Sequence, residues 1–185
     1  MTQREAVRQI ERAADEKLRE LDLSGLKLEE VPPEIAKCTH LVKLNLHNTQ
    51  ITSIPEALGQ LSNLEVLILS VNPLISIPEC LGQLSNLIWL ELGYNRISEI
   101  PEVIGQLSNL VRLHLGDNQI TSIAEAIGQL SNLRRLDLFN NQISEIPEAL
   151  AQLSNLYLLI LDGQITKIPE AIRQLPNLTI WEVFW

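Results

Sequence analysis

The sequence predicts an α/β fold of one particular kind. It is a right-handed solenoid with a parallel β-sheet on its concave side, short helical turns on its convex side and a capping helix at its N-terminal end. Three observations carry this reading. The phrase Leu61-Ser62-Asn63-Leu64 returns at Leu84, Leu107, Leu130 and Leu153, and in altered form as Leu175-Pro176-Asn177-Leu178. From Leu61 to Leu153 the step is 23 residues, a period that belongs to stacked supersecondary units. In each unit two apolar residues stand two apart, as Leu67 and Leu69 do, which puts both on one face of a strand.

Residues 1–17 read as the capping helix. Thr2 and Glu5 have capping-box spacing, and Val7, Ile10, Ala14, Leu18 and Leu21 fall on one helical stripe. The first coil of a solenoid has no neighbour on one side and needs such a lid. The stripe is small and alanine-rich, which suits a lid better than a membrane-binding or partner helix. Residues 18–185 then read as the solenoid, seven complete coils and a partial eighth.

Written once, the unit is LSNLxxLxLxxNxIxxIPEALGQ. The strand leucines point inward, and parallel stacking joins them into one continuous core. Asn72, Asn95, Asn118 and Asn141 follow the strands where the chain turns inward, and their amides can pair with backbone groups that a buried turn leaves unpaired. On the return side proline opens a helical turn, glutamate favours its positive end and glycine can end it. Departures from the unit are few. Leu26 and Thr49 stand at the asparagine position, and Ala124 replaces its coil's proline. Ala36, Ala151 and Arg173 replace glycine, and the coil through Leu161-Asp162-Gly163-Gln164-Ile165 is one residue short, so its turn must kink or re-register. The substitutions read as tolerated drift.

The unit resembles the leucine-rich repeat, specifically the intracellular kind with I-P-x-x-I/L-G-x-L. It is similar to units of Ras-binding leucine-rich scaffolds, of plant intracellular relatives and of the leucine-rich portion of bacterial Roco-type proteins. The likeness runs from Leu18 to the end, and the opening Glu5–Leu23 with its ELDLSG also resembles the start of cyanobacterial Roco-type chains. It implies a non-enzymatic module that binds a protein partner on its concave face. The alternative it implies is the recognition domain of a larger signalling enzyme, a Roco-type GTPase, of which this chain is a fragment. The chain itself holds no G-x-x-x-x-G-K-S/T phosphate loop.

Composition narrows the partners. With 14 Lys+Arg against 23 Asp+Glu the formal charge is −9, a poor match to nucleic acid, whose phosphates demand a basic surface. The start lacks the apolar run of a signal peptide, and no stretch approaches the ~18 apolar residues of a membrane span. Cys38 and Cys80 make neither a disulfide framework nor a metal-knuckle spacing. A cytoplasmic protein, with no membrane, nucleic-acid or cofactor role, is expected.

Candidate contact residues are the outward strand positions, where polar side chains are the rule. Val66, Ile68 and Trp89 break it as neighbours, with Val71 and Tyr94 just beyond. Beside Arg112, His114, Arg135, Asp137 and Phe139 they have the composition of a protein-binding hot spot. His47 and His114 lack metal-ligand spacing, and no nucleophile–base–orienter set is visible. The row Glu56, Glu79, Glu102, Glu125, Glu148 and Glu170 is explained by helix-end charge and solubility. At the C-terminal end the repeat places Trp181 and Val183 inward and Leu158, Ile160 and Ile180 outward, with Phe184 and Trp185 leaving the strand. The two terminal aromatics either fold over the open end as a makeshift cap or join those outward residues as the contacts of a homodimer, the second being favoured because so few residues cannot shield a coil's cross-section.

Overall fold

The structure is a computed structural model that describes residues 3–28, 30–163, 165 and 167–183. A helix, α1 (Gln3–Asp15), precedes ten strands. In chain order these are β1 (Glu20–Asp22), β2 (Lys43–Asn45), β3 (Val66–Ile68), β4 (Trp89–Glu91) and β5 (Glu99–Ile100), then β6 (Arg112–His114), β7 (Ser122–Ile123), β8 (Arg135–Asp137), β9 (Leu158–Asp162) and β10 (Thr179–Val183). Eight of them form one parallel sheet in the order β1-β2-β3-β4-β6-β8-β9-β10. From β1 to β9 the register is that of the repeat, so Leu21, Leu44, Leu67, Leu90, Leu113, Leu136 and Leu159 stack in one buried line.

The convex side carries one short turn per coil. Residues 33–37, 56–60, 79–83, 102–106, 125–129 and 148–152 are 3₁₀ turns, and α2 (Glu170–Arg173) is a single α-turn. Proline stands just before most of these turns in extended conformation, and its carbonyl accepts the first turn bond, as Pro55 does from the Leu58 N–H at 3.0 Å. Glycine does not end the turn, as its position in the repeat suggested. Gly105 lies inside its turn, where a Cβ would stand 2.8 Å from the Ala126 carbonyl oxygen of the next coil. Its smallness therefore sets how closely successive coils approach. Ala124 is likewise more than drift. Its N–H, which a proline would lack, donates to the Ile100 carbonyl at 2.9 Å beside the paired β5 and β7.

The asparagine ladder is continuous. Asn95 is buried, its Nδ2 donates to the Leu69 and Leu92 carbonyls at 3.1 and 2.9 Å, and its Oδ1 accepts the Leu74 N–H at 3.1 Å. Asn72, Asn118 and Asn141 repeat the pattern. Thr49 keeps the ladder's upper end closed, since its N–H donates to Asn72 Oδ1 at 3.0 Å. In the short coil Asp162 takes over, its two oxygens accepting the Asn140 and Asn141 N–H groups at 3.0 Å each. A second, exposed ladder runs through the LSN phrase. Asn63, Asn86, Asn109, Asn132 and Asn155 each donate to a carbonyl of the preceding coil at 2.8–2.9 Å.

Two expectations are corrected at the ends. In α1 the buried face is Ala6, Ile10 and Ala13, with Val7, Ala14 and Leu18 only half-buried. Alanines at i and i+7 let the helix sit close to the first coil, where the Cys38 thiol donates to the Ile10 carbonyl and His40 Nε2 lies 2.9 Å from the Ala13 carbonyl. The capping-box partner Thr2 lies outside the described residues. At the other end β10 pairs Ile180 with Leu159, Trp181 with Ile160 and Glu182 with Leu161. The missing residue shortens the sequence step to 22, but β10 pairs with β9 at a step of 21, and this further one-residue slip exchanges its faces. Ile180 therefore packs against the core and Trp181 stands 62% exposed on the concave side, the reverse of what the repeat implied.

Candidate functional site

The parallel register turns the outward strand positions into two straight rows. One row runs Val66, Trp89, Arg112, Arg135, Leu158, and the other Ile68, Glu91, His114, Asp137, Ile160, Trp181. Adjacent members are about 4.8 Å apart along the sheet. The apolar neighbours Val66, Ile68 and Trp89 are all half-buried by their surroundings, whereas Arg112 and Arg135 are exposed.

These side chains form a connected group. The Arg112 guanidinium carbon lies 5.6 Å from the centre of the Trp89 ring, over its face, where the ring's quadrupole attracts the cation. His114 Nδ1 is hydrogen-bonded to Glu91 Oε1, and His114 Nε2 lies 3.6 Å from Asp137 Oδ2. Arg135 approaches the same Asp137 oxygen at 3.8 Å, and the Phe139 N–H donates to Asp137 Oδ1 at 3.2 Å. Asp137 is itself buried, at 8% exposure. Burial, the largest single influence on His114, lowers its pKa. The hydrogen bond and charge of Glu91, joined by the charge of Asp137, outweigh both burial and the opposing Arg135, leaving His114 above its ordinary value.

Three residues outside the expected contact set hold this arrangement, all of them outward positions, with Glu91 already within reach of His114 by the repeat. Glu91 is the main partner of His114. Gly93 and Gly116 make room for its ring, since a Cβ on Gly93 would stand 2.7 Å from His114 Cε1 and one on Gly116 2.9 Å from His114 Nε2. Other coils carry Ser24, His47, Ser70 or Phe139 at that position. The available signal was that the repeat drops to glycine only in the histidine's own coil and the one before it. His47 does not join the group, and its Nδ1 lies 2.9 Å from Ser70 Oγ.

The turn after each strand contributes a second line. Asn48, Val71, Tyr94, Asp117 and Asn140 all have φ between 51° and 58°. Asparagine and aspartate tolerate this left-handed conformation, whereas a β-branched valine or a tyrosine is strained there. Val71 and Tyr94 nevertheless occupy it with side chains 39% and 59% exposed, so the strain is not offset by burial. Asp117 raises the Tyr94 hydroxyl pKa through its charge and a hydrogen bond, and its Oδ1 accepts from Asn140 Nδ2 at 2.7 Å.

Of the expected homodimer contacts, Leu158 is half-buried, Ile160 is buried at 6% exposure and Ile180 is turned to the core by the slip in β10. Phe184 and Trp185 lie outside the described residues. Trp181 takes the exposed place that the repeat gave to others. Among the described residues no group of three or more His, Cys, Asp and Glu side chains could hold a metal ion. No described helix is long and apolar enough to cross a membrane.

A profile of the family described as Leucine rich repeat matches residues 16–74 and 108–164, and one described as Leucine Rich repeats (2 copies) matches residues 85–129. No curated protein sequence matches the chain. Among solved structures, a leucine-rich repeat protein of Leptospira interrogans is 34% identical, with a TM-score of 0.75 over 88% of this chain and 48% of the other. An internalin of Listeria monocytogenes is 29% identical, with a TM-score of 0.71 over 86% and 47%. The leucine-rich ectodomain of a plant membrane receptor kinase from Arabidopsis thaliana is 28% identical, with a TM-score of 0.73 over 90% and 24%. The chain thus spans about half the length of the first two neighbours and about a quarter of the third. By the matched profiles and the stacked parallel architecture alike, the chain belongs to the leucine-rich repeat family.

Proposed function

We propose that the chain is a non-enzymatic binding module that holds a protein partner on its concave face, centred on Trp89. Leucine-rich repeat proteins generally mediate protein–protein interaction. The observation that carries the finer reading is the row Val66–Trp89–Arg112–Arg135 beside Ile68 and His114, an apolar patch continuous with a charged rim on a rigid sheet. Hot spots combine such an aromatic anchor with arginine. Tyr94 and Phe139 extend the patch, and the strained, exposed Val71 and Tyr94 support a role outside the fold. The Roco-type parent, the alternative that the resemblance implies, keeps the same surface, because recognition would fall to this face in either setting.

The two thiols, Cys38 and Cys80, are buried and unpaired, and burial pushes the Cys80 thiol up to about 11. Inert reduced thiols support a cytoplasmic setting. Self-association through the C-terminal end rests on Leu158 and Trp181 rather than on Ile160 and Ile180.

The test is affinity capture from the source cell with the parent chain and with a Trp89→Ala, Ile68→Ser variant of unchanged circular dichroism. Loss of the same protein from the variant's eluate is expected. Equal recovery by both would remove the concave patch from consideration.

A further inference from the structure

We infer that Arg112 and Arg135 form a clamp for the carboxylate of an acidic peptide segment, whose apolar residue about three positions away sits on Trp89 and Val66. This rests on the reading of the concave face as the contact surface and specifies what that surface accepts. The two arginines are register partners on adjacent parallel strands, so their Cα atoms stand about 4.8 Å apart and both exposed side chains leave the same face of the sheet. Like charges placed directly opposite on a sheet repel. The molecule leaves that repulsion largely uncompensated. Arg112 has no ion-pair partner among the described residues and stacks only on Trp89. Arg135 reaches Asp137 at 3.8 Å, beyond hydrogen-bond distance.

The acidic groups nearby are already engaged. Glu91 is bound to His114, and Asp137 lies between His114, Arg135 and the Phe139 N–H. The donors of this patch left open to a ligand are therefore the exposed guanidinium N–H groups, whose planar forks suit a carboxylate in bidentate fashion. Geometry sets the spacing of the ligand. From the middle of the Val66–Trp89 pair to the middle of the Arg112–Arg135 pair is two strand spacings, about 10 Å, or about three residues of extended peptide at ~3.3 Å each. The overall charge of −9 does not oppose this at physiological salt. Charges more than about 8 Å away are largely screened there, while those in contact are not.

The probe is a phage-displayed library of random dodecapeptides, selected against the full chain. Enriched peptides are resynthesised with Glu or Asp changed to the amide, and with either a free or an amidated C-terminus. The expected enrichment is an acidic residue three positions from an aromatic or branched apolar one. Arg112→Gln with Arg135→Gln, at unchanged circular dichroism, should weaken such peptides by about tenfold to a hundredfold. The acid-to-amide peptide should bind the double variant no more weakly than the parent peptide does. Loss on amidating the C-terminus alone assigns the clamp to a terminal carboxylate, and loss on changing the side chain assigns it to Glu or Asp. Peptides that carry no acid, that bind the arginine variant undiminished, or that fail to enrich at all would overturn the clamp. If those peptides still lost affinity with Trp89→Ala, the concave-face reading would survive the failure of the clamp. If Trp89→Ala also left them unchanged, that reading would fall with it.

Discussion

Replacing Asn95 by alanine takes a hydrogen-bonding amide out of the middle of the stack without touching the leucine core. Its Oδ1 is the acceptor of the Leu74 N–H, and its Nδ2 serves the Leu69 and Leu92 carbonyls. The side chain is 8% exposed, so water cannot simply take its place. An orphaned buried N–H costs about 1–3 kcal/mol, and two carbonyls that each lose a partner add somewhat less. The sum is about 2–4 kcal/mol, partly relieved by relaxation of the turn. Asn86, in the same coil but on the outer ladder, makes one comparable bond to the Ser62 carbonyl at 2.8 Å but is exposed. Its alanine variant should cost less than about 1 kcal/mol, because water replaces the amide. Glu102→Gln should be nearly neutral. Urea unfolding followed by circular dichroism measures all three, with the slope checked because repeat arrays can unfold in parts. Equal losses for Asn95→Ala and Asn86→Ala would refute the argument that burial, not bond count, gives the inner ladder its weight.

Val71→Asn and Tyr94→Asn relieve left-handed strain and should each raise stability by about 1 kcal/mol in the same assay. If the reading of these residues as contacts holds, the same variants lose affinity for the captured partner. Gly93→Ser should push the His114 ring off Glu91 while leaving the fold intact, read as a shift of the His114 Cε1 proton signal in NMR. His114 also makes stability depend on pH. Its folded pKa is raised, so its contribution is fully present below the ordinary histidine value of 6.5 and is lost as pH rises through the folded value. The urea midpoint of the parent should therefore fall between pH 6 and pH 9 relative to His114→Gln, and parallel curves would contradict the Glu91–His114–Asp137 account. Trp89→Ala should cost about 2 kcal/mol or more of partner binding in calorimetry.

Most of the architecture was legible because the repeat writes one residue per structural position. The inward leucines, the inner asparagines and the outward rows all follow from a period of 23 and an alternation of two. The failures share a physical cause. The register of β10 depends on how one deleted residue is absorbed, and continuing the repeat through Leu178 put Trp181 on the wrong face. Local chemistry makes the convex glycines terminators, whereas Gly105 answers to atoms of the next coil, as does Gly93 beyond the end of β4. The outer ladder was visible as the recurring Asn of the LSN phrase, a polar residue kept at an exposed turn with nothing to bury. The site was half legible. Its apolar patch stood out against polar expectation, but the placing of His114 depends on contacts between coils that no single unit contains.

Hydroxyl-radical footprinting of the chain with and without its captured partner tests the central claim most directly, that the sheet face around Trp89 is the contact surface. Trp89 and Tyr94 should lose most of their reactivity in the complex, while Ile75, 63% exposed on the loop after β3, keeps its own. Protection of Ile75 or of the convex turns at 102–106 and 125–129, with Trp89 and Tyr94 as reactive as in the free chain, would contradict the account.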